Sequence, residues 1–168
     1  MNNKNRLAIA VLVLLVPTAA RADVVWPALY LETRLATWWS VSIGLLVELL
    51  VIWRAFALEI KKALLVDLVA NAASVLLGII FIPLAGMVWE IFPGLVFYKV
   101  FNVGTFNPTT WAATCIFAVA INAALEWAVI QKGFKLPIGK RGFWILAGAN
   151  AVSVAVAFGS LFVFPVKP

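Results

Sequence analysis

The chain has 168 residues, 65% of them hydrophobic and 12% charged, with a net charge of +6 and a mean hydropathy of +1.07. Soluble domains carry about 25% charged residues, so this composition excludes a water-soluble domain and assigns the chain to a bilayer. With no His and a single Cys, Cys115, it also excludes His-based metal sites, Ser-His-Asp and Cys-His catalysis, and any intrachain disulfide.

Lys4 and Arg6 precede an apolar run over residues 7–16, and Pro17 breaks that run before Ala20-Arg21-Ala22. These are the three regions of a cleavable signal peptide, and the run is too short to span a hydrocarbon core of about 30 Å. A signal peptide over 1–22 is therefore expected, with cleavage before Asp23; the competing reading is a short uncleaved anchor. Residues 23–37 are expected as an exterior N-terminal segment, where Pro27 suits the first turn of a helix. The first apolar span covers 38–53, with Trp38, Trp39 and Trp53 at its ends and Arg54 just beyond, the placement of interfacial anchors. Arg54, Lys61 and Lys62 with Glu59 mark a loop, and a second span over 63–82 stops at Pro83, which makes 38–82 one helical hairpin.

Residues 83–107 are too broken by Pro and Gly for one straight span and too aromatic for a solvated loop, so an exterior interfacial or re-entrant segment is expected. Asn107-Pro108-Thr109 reads as a helix start, with Asn as cap and Pro in the first turn. A third span over 110–130, a loop carrying Lys132, Lys135, Lys140 and Arg141, and a fourth span over 143–164 make 108–168 the second hairpin. Basic residues thus gather after spans one and three, while the connection between spans two and three has only Lys99 against Glu90. The positive-inside rule puts both basic loops in the cytoplasm and both mature termini outside, with a bacterial inner membrane as the expected location.

The two hairpins resemble each other. From Glu48, ELLVIWRAFALEIKK lies over EWAVIQKGFKLPIGK from Glu126, agreeing at Glu, Val, Ile, Phe, Leu, Ile and Lys; after one extra residue, Asn71 and Ser74 meet Asn150 and Ser153. The expected fold is an all-α membrane protein, four transmembrane helices as two parallel helical-hairpin repeats related by an axis along the membrane normal.

Glu48 lies six residues before Arg54 and Glu126 six before Lys132, about 9 Å along each helix. Asn71 follows Lys62 by nine residues and Asn150 follows Arg141 by nine, which leaves each Glu about one turn from an Asn on the facing helix. Asp67, Asn71 and Ser74 share one face, as do Asn122 and Glu126, and Asn150 and Ser153. A charge at the centre of a membrane helix costs about 2.5 to 3.5 kcal/mol on insertion scales, so the three acids imply compensation or use. Asn71, Ser74, Asn150 and Ser153 read as packing groups. Glu48 and Glu126 read either as acids held by Asn within a hairpin or as a proton or cation site. Asp67 stands apart, because its counterpart in the second copy is Leu146.

No enzymatic motif is complete. Gly139-Lys140-Arg141-Gly142 lacks phosphate-loop spacing and reads as a basic turn. The chain is expected to be no enzyme and to need no cofactor or metal. The first functional reading is a small membrane subunit or scaffold acting through partners. The alternative is a transport or proton/cation-coupling component using intramembrane carboxylates. The expected partners are the lipid bilayer and other membrane subunits or further copies of the chain, with no nucleic acid.

Overall fold

A computed structural model describes residues 26–163, which form helices and no strand. The helices are α1 (Trp26–Leu35), α2 (Trp38–Ala55), α3 (Ile60–Trp89), α4 (Leu95–Phe101), α5 (Pro108–Ala128) and α6 (Gly139–Val163). Widened π-type turns over Glu90–Gly94 and Val129–Gly133 follow α3 and α5. The expected signal peptide lies outside the described residues.

Four helical segments are long and apolar enough to cross a membrane: Trp38–Ala55, Ile60–Phe101, Pro108–Gly133 and Gly139–Val163. Their packing carries the same message. On α3 the buried positions include Ala63, Ala70, Ser74, Gly78 and Gly86, whereas Leu64, Leu65, Leu68, Leu76, Ile79 and Ile80 are exposed. Small and polar groups face inward and large aliphatic groups outward, the reverse of a soluble bundle. Lipid tails give apolar side chains no reason to turn inward, so close backbone approach and interhelical hydrogen bonds hold such helices together.

The four long helices form a ring in which α2 packs on α3, α3 on α5, α5 on α6 and α6 on α2. Both basic loops lie at one end, where Ile52, Ala63, Val66, Ile130 and Leu146 form a cluster that gathers Phe56, Leu58, Phe134 and Ile138 from the loops. Helices α2 and α5 therefore run toward this end, and α3 and α6 run away from it. Arg54, Lys61, Lys62, Lys132, Lys140 and Arg141 are all exposed there.

At the opposite end, α1 lies within the bundle. Ala28 and Leu31 are buried with Ile82, Ala118, Val154 and Ala157. The segment 23–37, read from the sequence as exterior, thus contains a helix that closes the end of the ring. Gly86 permits its approach, because a Cβ at that position would lie 2.8 Å from the Cβ of Ala28.

The second span does not stop at Pro83. Helix α3 continues through it to Trp89, a length of about 45 Å at 1.5 Å per residue. Proline removes one N–H, but in an apolar environment ending the helix would leave more backbone groups without partners than continuing it does. The break comes at Phe92, which is extended (φ −165°, ψ 128°). A polar chain then ties α4 back to the start of α5. Tyr98 donates its single hydroxyl proton to Glu90 (2.8 Å), so the 2.7 Å contact with Thr110 has Thr110 as donor. Thr110 Oγ1 in turn accepts from Asn107 (3.0 Å) and from the Trp89 indole (3.4 Å). Asn107 also caps α5, its Oδ1 accepting from the backbone N–H of Thr109 (2.9 Å) and Thr110 (3.0 Å).

Gly86→Leu places a side chain where Ala28 sits and should destabilise the protein by about 1 to 3 kcal/mol. Gly148→Ala meets nothing within 4 Å and serves as the control. Unfolding midpoints in detergent check both, and an unchanged midpoint for Gly86→Leu would contradict the docking of α1.

Candidate functional site

Polar residues from all four long helices meet midway between the two apolar clusters. Helix α2 brings Ser40, Gly44 and Glu48, one turn apart on one face; α3 brings Asp67, Asn71 and Ser74; α5 brings Asn122 and Glu126; α6 brings Asn150 and Ser153. Both glutamates are interior groups, Glu48 being 2% and Glu126 1% exposed.

Each glutamate takes a hydrogen bond from the asparagine of its own hairpin. Asn71 Nδ2 donates to Glu48 Oε2 at 2.6 Å, and Asn150 Nδ2 donates to Glu126 Oε2 at 2.7 Å. Contacts across the ring complete the arrangement. Ser153 Oγ donates to Glu48 Oε1 at 3.4 Å, and a Cβ at Gly44 would lie only 3.1 Å from that hydroxyl. Glycine at position 44 therefore makes room for the crossing. Ser74 lies beside Glu126, but its hydroxyl donates to Asn71 O at 3.0 Å. Glu126 Oε1 is left buried without a hydrogen-bond partner among the described residues.

Asp67 breaks the correspondence between the halves. In the second hairpin the two amide protons of Asn150 serve two acceptors, Glu126 Oε2 and Leu146 O (3.1 Å). In the first, Asn71 Nδ2 has three acceptors within reach: Glu48 Oε2, Asp67 O (3.2 Å) and Asp67 Oδ1 (3.1 Å). An amide nitrogen carries two protons, so one acceptor is under-supplied. Asp67 Oδ2 is buried with no hydrogen-bond partner among the described residues. Burying such a group costs about 1 to 3 kcal/mol.

A cleft of about 480 Å³ opens between α2 and α3 onto this centre. Its floor includes Glu48, Asn71, Glu126, Asn150 and Ser153, and its mouth is made by Val41, Leu45, Leu68, Ala72 and Val75. Ser74 and Asn122 also line it, and Asn122 Oδ1 packs 3.3 Å from the position a Cβ would take on Gly78. Asp67 is not on the wall; it sits behind Asn71. Seven of the eight residues singled out in the sequence thus line one cavity, with Asp67 one hydrogen bond behind it.

Sequence reading missed Ser40 and Gly44. Ser40 lines the same cleft, its buried Oγ without a partner among the described residues. Both sit at four-residue steps from Glu48, so extending the glutamate's helix face by two turns would have found them. Among the described residues, no group of three or more His, Cys, Asp or Glu is placed to hold a metal ion.

Asn150→Ala removes the described donor to Glu126 and should cost about 0.6 to 1.7 kcal/mol, from the average to the largest of measured interhelical polar contacts in membranes. Asp67→Leu should be neutral or stabilising, because it removes an unpartnered oxygen and leaves Asn71 with two acceptors for two protons. Unfolding in mixed detergent measures both; a larger loss for Asp67→Leu than for Asn150→Ala would contradict this accounting.

No protein-family model, curated protein or solved structure matches the chain.

Proposed function

We propose that this chain is a multi-pass membrane component that takes up protons or a monovalent cation at carboxyl groups between its helices, as part of a transport or coupling process. One observation carries the reading: Glu48, Asp67 and Glu126, from three different helices, converge among amide and hydroxyl groups, and a half-open cleft reaches two of them. An anionic carboxylate in that setting requires a cation or a proton, and the hydrogen bonds to the three acids come from Asn71, Asn150 and Ser153. A bundle built for packing alone gains nothing from Asp67, since Leu146 fills the matching place in the other hairpin with complete burial.

The finer architecture belongs to the same proposal. The shared Glu, Asn and Ser positions, each Glu held by its own hairpin's Asn, support descent from one duplicated hairpin. The exposed basic loops at one end support the cytoplasmic assignment of that end, with both mature termini outside a bacterial inner membrane after removal of a signal peptide. A second reading, a subunit or scaffold acting through partners, is favoured by the aromatic face at the α3–α4 break, where Phe92 and Phe101 are exposed.

Infrared spectroscopy of the protein in liposomes tests the first reading. The carboxyl C=O band should change as bulk pH is swept, and the change should disappear in Glu48→Gln/Asp67→Asn/Glu126→Gln. A band that ignores pH would leave the acids as packing groups and favour the subunit. Topology is checked separately: reporters fused after Lys62 and Lys140 should sit in the cytoplasm and one after Gly104 outside, and an exterior signal after Lys62 would overturn the orientation.

A further inference from the structure

The cleft has two chemically distinct parts. Its mouth, between the faces of α2 and α3, is aliphatic, and Leu68, Ala72, Val75 and Leu76 belong to the outward surface of α3 that large apolar residues cover. In a bilayer that surface meets lipid tails, so the cavity opens sideways into the membrane. Its floor is rich in acceptors: among the described residues Glu126 Oε1 has no hydrogen-bond partner, Glu48 Oε1 has only the long Ser153 contact, and the Ser153 hydroxyl belongs to the same floor.

Each part constrains the occupant. A volume of about 480 Å³ lies in the range of small-molecule pockets and far exceeds a bare ion. As carboxylates, the form the cation-site reading gives them, these acceptors select a cation that donates hydrogen bonds. Among the described residues no aromatic side chain lines the cleft, so they supply none of the ring faces that recognise quaternary ammonium groups. No described Lys or Arg lines it either, which disfavours a phosphate-bearing headgroup such as that of a zwitterionic phospholipid. A primary ammonium group, with three N–H donors, on an aliphatic chain satisfies every one of these conditions.

We propose that the cleft binds an aliphatic primary amine that enters laterally from the bilayer between α2 and α3, its ammonium group on Glu126 and Glu48 and its chain along Val41, Leu45, Leu68 and Val75. This rests on the reading of the carboxyls as a cation site and gives that site a substrate class. Glu126 supplies the anchoring oxygen. Asn150 holds the other oxygen of the same carboxylate and so aims it. Ala72, small and at the mouth, leaves the entrance open.

The test uses the full chain in neutral maltoside detergent, with dodecylamine, dodecyltrimethylammonium and dodecanol as probes of equal chain length. At saturation dodecylamine should raise the unfolding midpoint by about 3 °C or more, and the other two should not. Glu126→Gln keeps the acceptor that Asn150 needs and should abolish the shift. Ala72→Trp, at an exposed position away from the acids, should abolish it by closing the mouth. Equal shifts from all three probes, no shift from dodecylamine, or a dodecylamine shift that survives both variants would overturn the proposal. If the carboxyl band still follows pH in that case, only the substrate class falls; a band indifferent to pH removes the cation site itself.

Discussion

Two carboxyl–amide hydrogen bonds, Glu48 with Asn71 and Glu126 with Asn150, set the register on which the bundle depends. Each joins the two helices of one hairpin through a buried carboxyl group, so sliding either helix by one residue would strand an acid and an amide together. Apolar contacts cannot supply this selectivity. Leu against Leu and Leu against a lipid tail are nearly equivalent, and many alignments of aliphatic helices are close in energy. Polar pairs convert a family of alignments into one.

The small residues depend on the same choice of register. Gly44 lies beside Ser153 and Gly78 beside Asn122, so the helices approach closely where the polar groups meet. Ala63 and Ala70 continue the α3 stripe toward the basic loops, and Gly86 continues it to α1. Tight backbone approach and buried hydrogen bonding are thus one arrangement: short side chains bring the helices near enough for the Glu and Asn side chains to reach, and the hydrogen bonds keep the short side chains opposed.

Much of this was legible in the sequence, for reasons that particular residues make clear. Hydropathy and the loop lysines located the four spans, because a membrane demands long apolar stretches with charges at their ends. Counting from Arg54, Lys62, Lys132 and Arg141 brought each Glu within reach of its Asn, because helical rise converts sequence distance into depth. The α1 helix and the course of α3 past Pro83 were not legible. A ten-residue helix leaves little periodicity to detect, and proline ends helices in water far more reliably than it does among apolar neighbours. The cleft was hidden too, because it arises from how far two helices diverge, a property of the assembled bundle that neither strip of sequence contains.

The hydrogen-bond pattern at Asn71 has a further consequence. Two amide protons distributed among three acceptors can be dealt out in three ways, whereas the matching amide of Asn150 has one arrangement for its two. The first hairpin therefore holds a small configurational degeneracy that the second lacks. The under-supplied acceptor is then the Glu48 carboxyl, the Asp67 carboxyl or the Asp67 backbone carbonyl. Near two-fold architecture thus has its hydrogen-bond ambiguity confined to one half, the half beside the open cleft.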